Sequence, residues 1–415
     1  MTDLAAEIKK RLPARLVRLV RRAGELAAEQ GHASYLVGGV VRDLLLRRRN
    51  LDVDAVVGGD AIRLARRLAN EAGARLVTHV RFGTASVITE TWRVDLTTLR
   101  SETYERPGAL PTVGPGTIET DLFRRDFTIN AMAIDLGPER YGRLIDLNGG
   151  QRDLDHRLVR VLHERSFIDD ATRIWRAVRY EQRLGFRLEE NTESWLRRDV
   201  PMLDTISGDR VRHELERVLQ EKQPENALMR ADELGVLARL HPHLKADKWL
   251  AHRFRQARRI WRPERPPLPF YLSILFYRLP WTDVQQLAKL LKLDHETYRV
   301  VSGSDGLKDR LAILSLEGQP PSIVHHQLRG ADDLAVVANL LCTASAEARR
   351  NIELYLDRLR YVRPELNGDD LMELGVPEGP QMKKVLQKLL DGRLDGEINS
   401  REEEVEMVEY WLAGV

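Results

Sequence analysis

Between Ser34 and Thr98 the apolar residues fall into short alternating runs, and from about residue 151 they fall at helical spacing instead. This change of period constrains the fold more than any other feature. The runs "SYLV", "LDVDAVV", "ARLVTHV", "TASVITE" and "WRVDLTT" alternate as strands do. The intervening "VVRDLLLR" and "DAIRLARRLANEAG" have helical spacing. The expectation is an α+β chain, with a small mixed-sheet domain first and an all-α remainder after it. Residues 3–30 are expected to form one helix. Residues 100–120, rich in Pro and Gly, are expected to form a loop of a length that is often functional. At 415 residues the chain exceeds one ordinary core. Pro201, "RPERPPLP" (262–269) and "RPELNGDD" (363–370) are candidate breaks in the helical part.

The run "LDVDAVV" holds Asp52 and Asp54, two residues apart and so on one face of a strand. Neighbouring like charges repel, share a proton, face water, or hold cations. Carboxylates suit hard divalent ions, and two ions roughly 3.5–4 Å apart serve phosphoryl transfer. The residues before the strand favour the metal alternative. "VGGVVRD" places Gly38 and Gly39 where a backbone can approach a ligand closely, ahead of a helix start that suits an anion. Arg42 can add a bidentate phosphate contact. Asp95, in "WRVDLTTLR", is a candidate third carboxylate or a surface residue.

No lysine occurs between Lys10 and Lys222, so a P-loop lysine is excluded there, and phosphate recognition must use arginine and backbone amides. The net charge is only +2, so the total says nothing about nucleic acid. The single cysteine, Cys342, excludes a disulfide framework and a Cys-based zinc site. The N-terminal stretch lacks the apolar core of a signal peptide, and no run approaches the roughly 20 apolar residues of a membrane span. The expectation is a cytoplasmic protein with no membrane association and no implied protein partner.

Five blocks carry a resemblance. "LVGGVVRDLLLRRRNLDVDAVV" resembles motif A of the class II tRNA nucleotidyltransferases, the family of CCA-adding enzymes and bacterial poly(A) polymerases. "DLFRRDFTINAMA" (121–133) matches the family's R-R-D-F-T-x-N-A motif almost letter for letter. "DLNGGQRDL" (146–154) resembles the motif that opens the neck, "FIDDATRIWRAVRYEQRLGF" (167–186) the nucleotide-recognition helix, and "SGDRVRHELERVL" (207–219) the last motif, which stabilises that helix. Two departures occur: Asp169 replaces the usual Glu, and Ala171 stands where many members have proline.

The resemblance implies a polymerase-β-like nucleotidyltransferase head over residues 1–150, a helical neck that recognises the base over 151–222, and a helical body and tail that bind tRNA over 223–415. It implies catalysis by Asp52, Asp54 and Asp95, with two Mg²⁺ on Asp52 and Asp54. It implies CTP and ATP as substrates and a tRNA 3′ end as acceptor. Nucleotide contacts are expected from Gly38, Gly39, Arg42, Arg124, Arg125, Asp126, Asn130, Asp170, Arg173, Arg176 and Arg179. Asp126 is either a helix N-cap or an acceptor from a ribose hydroxyl. Arg176 and Arg179 either reach phosphates or pair with Glu181.

Asp170 and Arg173 are three apart, which suits an intrahelical ion pair or a shared ligand. A carboxylate only accepts hydrogen bonds and a guanidinium only donates them. Cytosine and adenine each present an amino donor beside a ring-nitrogen acceptor, which such a pair complements. Uracil and guanine present the reverse, and buried mismatches discriminate strongly.

In the helical part "HRFRQARRIWRPERP" (252–266) has arginines interleaved with Phe254 and Trp261. Arg253, Arg255, Arg258 and Arg259 are candidates for RNA phosphates with stacking aromatics, or a solvated helix face. "HPH" (241–243) and "HH" (325–326) are expected to be isolated loop or surface histidines. Within the family the expectation is addition of the full CCA. A-only addition is the close alternative, because "PGALP" resembles a subgroup with A-adding members. CC-only addition, poly(A) synthesis, transfer to a small acceptor and an inactive RNA-binding module are the other readings.

Overall fold

The computed structural model describes residues 2–80 and 83–414. It divides into two compact units, Met1–Arg239 and Leu240–Val415. No helix among the described residues is long and apolar enough to cross a membrane.

The first unit opens with two helices, α1 (Ala5–Arg11) and α2 (Ala14–Glu29), where one was expected. Pro13 separates them, and Leu12 before it is extended at φ −92, ψ 147. A residue preceding proline is driven from the helical region, so the break falls there. The sheet elements follow: β1 (Ser34–Val37), α3 (Gly39–Leu45), β2 (Asp52–Val57), α4 (Ala61–Ala72), β3 (Arg75–His79), β4 (Thr84–Ile88) and β5 (Arg93–Thr98). Then come β6 (Arg100–Thr103), β7 (Thr112–Pro115), α5 (Ile118–Phe123), β8 (Met132–Asp135) and β9 (Leu144–Asp146). The seven-stranded sheet has the order β3-β4-β5-β2-β1-β8-β9, with β2 and β5 parallel.

Burial along β2 alternates. Val53, Ala55 and Val57 are buried on one face. The other carries Asp52, Asp54 and then Val56, which joins a cluster with Val37, Ile118 and Leu122. The aspartates thus sit at the open end of an otherwise apolar face, capped by α5. Helix α4 begins where Asp60 accepts from the amides of Ile62 and Arg63 and ends at left-handed Gly73.

Residues 100–120 are not a loop throughout. β6 and β7 form an antiparallel hairpin, Arg100 opposite Pro115 and Thr103 opposite Thr112, which leaves 104–111 as its connection. Alternating Ser, Thr and Val residues find partners across the turn, a pairing that the Pro and Gly content hides.

The remainder of the unit is helical: α6 (Gly150–Asp155), α7 (Ser166–Asp169), α8 (Thr172–Leu184), α9 (Glu190–Asp199), α10 (Gly208–Leu219) and α11 (Pro224–Glu233). α8 is the buried centre of this group, with Ile174, Trp175, Ala177 and Val178 fully enclosed. The second unit is all-α among its described residues. Its apolar clusters include one around Leu307, Val336 and Ile352 and one around Leu371, Leu389 and Val408.

Candidate active site

Register places three carboxylates together. Asp54 lies opposite Asp95 on parallel β5 and opposite Val37 at the end of β1, and Asp52 is two residues along the same face. Asp54 is partly buried, and its carboxyl is pushed up to about 6 by burial and by Asp52, with Asp95 adding to it and Arg125 and Arg93 opposing. Asp95 is held in place by Ser86 Oγ and by Arg93 Nε at 2.8 Å. Three oxygen donors with too little positive charge around them make a site that fits a hard divalent cation.

Directly after β1, Gly38 turns the chain at φ 76, ψ −137. A Cβ there would lie 3.1 Å from Arg125 Nη1 and 3.5 Å from Asp54 Oδ2. Both the positive φ and the close approach require glycine. Arg125 donates from Nη2 to Asp121 at 2.8 Å, while its Nε is buried without a partner. Arg124 donates to the same Asp121 and, through Nη1, to Glu102 at 2.9 Å. Asp121 is fully buried, and its two arginines hold its carboxyl below the usual range against the effect of burial. Its spacing to the arginines, i,i+3 and i,i+4 across α5, was the signal available in the sequence.

Asp126 is not a helix N-cap. Its Oδ1 accepts from the Phe127 amide at 2.8 Å and from Asn130 Nδ2 at 3.0 Å. Its Oδ2 accepts both Nε and Nη2 of Arg176, at 2.9 and 2.5 Å. Burial alone would raise the Asp126 carboxyl, but Arg176 and Asn130 bring it down to about 2.

A cleft of about 320 Å³ opens among these groups, lined by Gly38, Gly39, Asp54, Arg124, Arg125, Asp126, Asn130, Asp170, Arg173 and Arg176, with Glu102, Tyr104, Thr172 and Tyr180. Tyr104 and Tyr180 were not anticipated. Tyr104 stands in the aperiodic connection of the hairpin, where no pattern marks it. A larger cavity of about 660 Å³ lies beside Trp92, but its Arg22 is already bound to Glu71 at 2.9 Å.

Asp170 and Arg173 both reach the cleft but do not form an intrahelical pair. Asp170 precedes α8 in extended conformation, φ −141, ψ 98. Its Oδ1 accepts from the Thr172 amide and hydroxyl at 3.0 and 2.7 Å and from Arg210 Nη2 at 2.8 Å. Arg173 is buried, with Nη1 bonded to Ser166 Oγ at 3.2 Å and Nη2 to the Arg124 carbonyl at 2.8 Å. Each is fixed by other residues, so carboxylate and guanidinium stand as a separate acceptor and donor.

Two expected nucleotide ligands lie outside the lining. Arg42 is buried. It grips Asp43 through Nε and Nη2 at 2.9 and 3.0 Å and Asn130 through Nη1 at 2.7 Å, and it stacks on Tyr180. It braces Asn130. Arg179 is also buried and lies 3.8 Å from Glu214 and 3.6 Å from Glu221. Neither Arg176 nor Arg179 pairs with Glu181, which takes Arg230 Nε at 2.9 Å and the Leu188 amide at 3.0 Å instead.

In the second unit the arginine segment forms a helix over Lys248–Ile260. Its aromatics pack against neighbouring rings. Phe254 is fully buried against Tyr271, and Trp261 packs on Phe270 with ring centroids 4.3 Å apart. Arg253 Nη1 bonds Gln256 at 2.9 Å and its guanidinium lies over Trp249. Arg258 is partly buried, while Arg255 and Arg259 are exposed. The histidines are not all surface residues either: His241 and His325 are buried.

The sequence profile of the poly A polymerase head domain matches residues 34–160, and that of the probable RNA and SrmB-binding site of polymerase A matches residues 185–248. The A-adding tRNA nucleotidyltransferase of Halalkalibacterium halodurans is 31% identical over 93% of this chain and 90% of its own length. The A-adding tRNA nucleotidyltransferase of Geobacter sulfurreducens is 35% identical over 96% of this chain, which spans about half (47%) of that relative's length. A solved CCA-adding enzyme in an apo form superposes with a TM-score of 0.86 at 33% identity, covering 100% of this chain and 99% of that one.

Proposed function

This chain belongs to the class II tRNA nucleotidyltransferase family, and from that premise we propose that it transfers AMP from ATP to the 3′ end of a tRNA that already ends in CC. One observation carries the chemistry: Gly38, Asp54 and Arg125 line one cleft together with Asp170 and Arg173. The first group suits a triphosphate and its metal, the second a base. AMP is favoured because the Geobacter and Halalkalibacterium relatives are both A-adding enzymes. Addition of the full CCA is the second reading, favoured by the likeness to a CCA-adding enzyme over the whole chain.

In this reading Asp52, Asp54 and Asp95 would hold Mg²⁺, which would neutralise the triphosphate and acidify the attacking 3′-hydroxyl. Gly38 lets the backbone lie against the phosphates, and Arg125, whose Nη1 comes within 3.1 Å of where a Gly38 Cβ would sit, is a donor beside them. Asp170 accepts from the adenine amino group. Arg173, already oriented through one hydrogen on each Nη, donates to adenine N1. Guanine would set carbonyl against carboxylate and N–H against guanidinium. Asp126, spent on Arg176 and Asn130, orients these groups and keeps one edge toward a ribose hydroxyl. Residues 1–150 act as the catalytic head, 151–222 as the base-reading neck, and 223–415 as the tRNA-binding body and tail, with Arg255 and Arg259 exposed to phosphates. The expected location is the cytoplasm.

The deciding experiment supplies Mg²⁺ and tRNA transcripts ending before the tail, after C and after CC, with CTP or ATP given separately. AMP incorporation on the CC-ended transcript alone is expected. CMP incorporation on the shorter transcripts replaces this reading with full CCA addition.

A further inference from the structure

The second unit contains a group of ligating side chains that the chemistry above does not use. His241 and His243 flank Pro242 just after a short helix, and Asp283 stands in the first turn of the helix Trp281–Leu290. His243 Nδ1 lies 2.6 Å from Asp283 Oδ2, and His241 Nε2 lies 3.8 Å from Asp283 Oδ1. One ligand atom from each residue falls within 4.8 Å of the other two. Donor atoms around a four-coordinate zinc ion lie roughly 3.3 Å apart, given metal–ligand bonds of about 2.0–2.2 Å. Small side-chain rotations bridge the difference.

The environment of Asp283 points the same way. Its exposure is 8%. Its ion-pair partners include both of these imidazoles. Its carboxyl is held below the usual range, chiefly by the His243 hydrogen bond, so it stands as a ready anionic ligand. Two imidazoles and one carboxylate are a borderline-soft set that suits Zn²⁺ rather than Mg²⁺. His243 is 66% exposed, so an ion has a path in from solvent and a fourth position for water.

We propose that His241, His243 and Asp283 form a site for one Zn²⁺ ion that ties the 241–243 turn to the start of the helix Trp281–Leu290. The proton balance is simple. Each imidazole stays neutral, and its proton moves to the ring nitrogen away from the ion. His241 then gives up the 3.3 Å bond that its Nδ1 accepts from the His243 amide.

The test uses the full chain carrying Asp52→Ala and Asp54→Ala, so that the cleft carboxylates take no ion, after stripping with EDTA. Calorimetric titration with ZnCl₂ is expected to show one ion per chain, and Zn²⁺ is expected to raise Tm. His243→Ala and Asp283→Asn in that background are each expected to weaken binding about tenfold or more and to abolish the Tm shift. His243 is exposed, so its variant folds and decides the matter even where Asp283→Asn does not. No binding by the parent, or unchanged binding by His243→Ala, overturns the site and leaves a hydrogen-bonded strut. Mg²⁺ in place of Zn²⁺ is expected to give no signal.

Discussion

Arg210 bridges two parts of the cleft wall: its Nη2 donates to Asp170 Oδ1 at 2.8 Å, and its Nη1 donates to the Gly108 carbonyl at 3.3 Å. One side chain on α10 thereby holds both the carboxylate before α8 and the connection between β6 and β7. Hydrogen bonds to charged groups contribute about 1.5–3 kcal/mol. Arg210→Ala is therefore expected to lower kcat/KM for ATP roughly 10- to 100-fold, mostly through KM, with little loss of Tm. Arg210→Lys, which keeps the charge but not the fork, is expected to recover part of it. Steady-state incorporation on a CC-ended transcript checks both.

Arg173→Ala removes the donor proposed to read the base while leaving Asp54 and Asp95 untouched. Discrimination of ATP against GTP is expected to fall further than the rate of transfer itself. Parallel single-nucleotide assays measure it, and an unchanged ratio would remove Arg173 from base choice.

Asp54 gives the cleft a pH dependence. Its carboxyl sits at about 6 against an ordinary 3.8, so the folded state holds the proton more tightly than the unfolded state. In EDTA the fold is expected to gain stability from this group as pH falls from about 7 to about 4. Asp54→Asn flattens that gain, and the wild-type-minus-variant difference in Tm isolates it. Mg²⁺ needs the ionised form, so its stabilising effect and the activity are expected to fade as pH drops through 6.

The Asp126–Arg176 pair has the opposite sign. Asp126 is depressed to about 2, so its contribution is complete above the ordinary carboxylate value of 3.8 and is lost as pH falls through about 2. Arg176→Ala strands a carboxylate that is 8% exposed. Urea denaturation at neutral pH is expected to show a loss of about 3–5 kcal/mol.

The sequence revealed what repeats locally. The strand holding Asp52 and Asp54, the glycines before it and the R-R-D block all lie in the structure where their patterns put them. What escaped was set by partners remote in the chain or by backbone angles. Arg42 turns onto its own neighbour Asp43 and onto Asn130, a choice that no helical spacing encodes. Asp170 lies two residues ahead of the start of α8, which periodicity cannot resolve, and so the pair with Arg173 opens. Glu181 goes to Arg230, and the histidines of "HPH" meet Asp283 on another helix.

The parallel pairing of β2 with β5 orders events while the chain is being made. β1 and β2 are antiparallel neighbours and can join as soon as both have emerged from the ribosome. Asp54 meets Asp95 only after α4, β3 and β4 have followed. Asp170 and Arg210, which complete the wall, emerge later still. Asp95 thus joins Asp54 only once β3 and β4 are in hand, β8 and β9 complete the sheet after that, and a half-made chain has no cleft in which a nucleotide could settle.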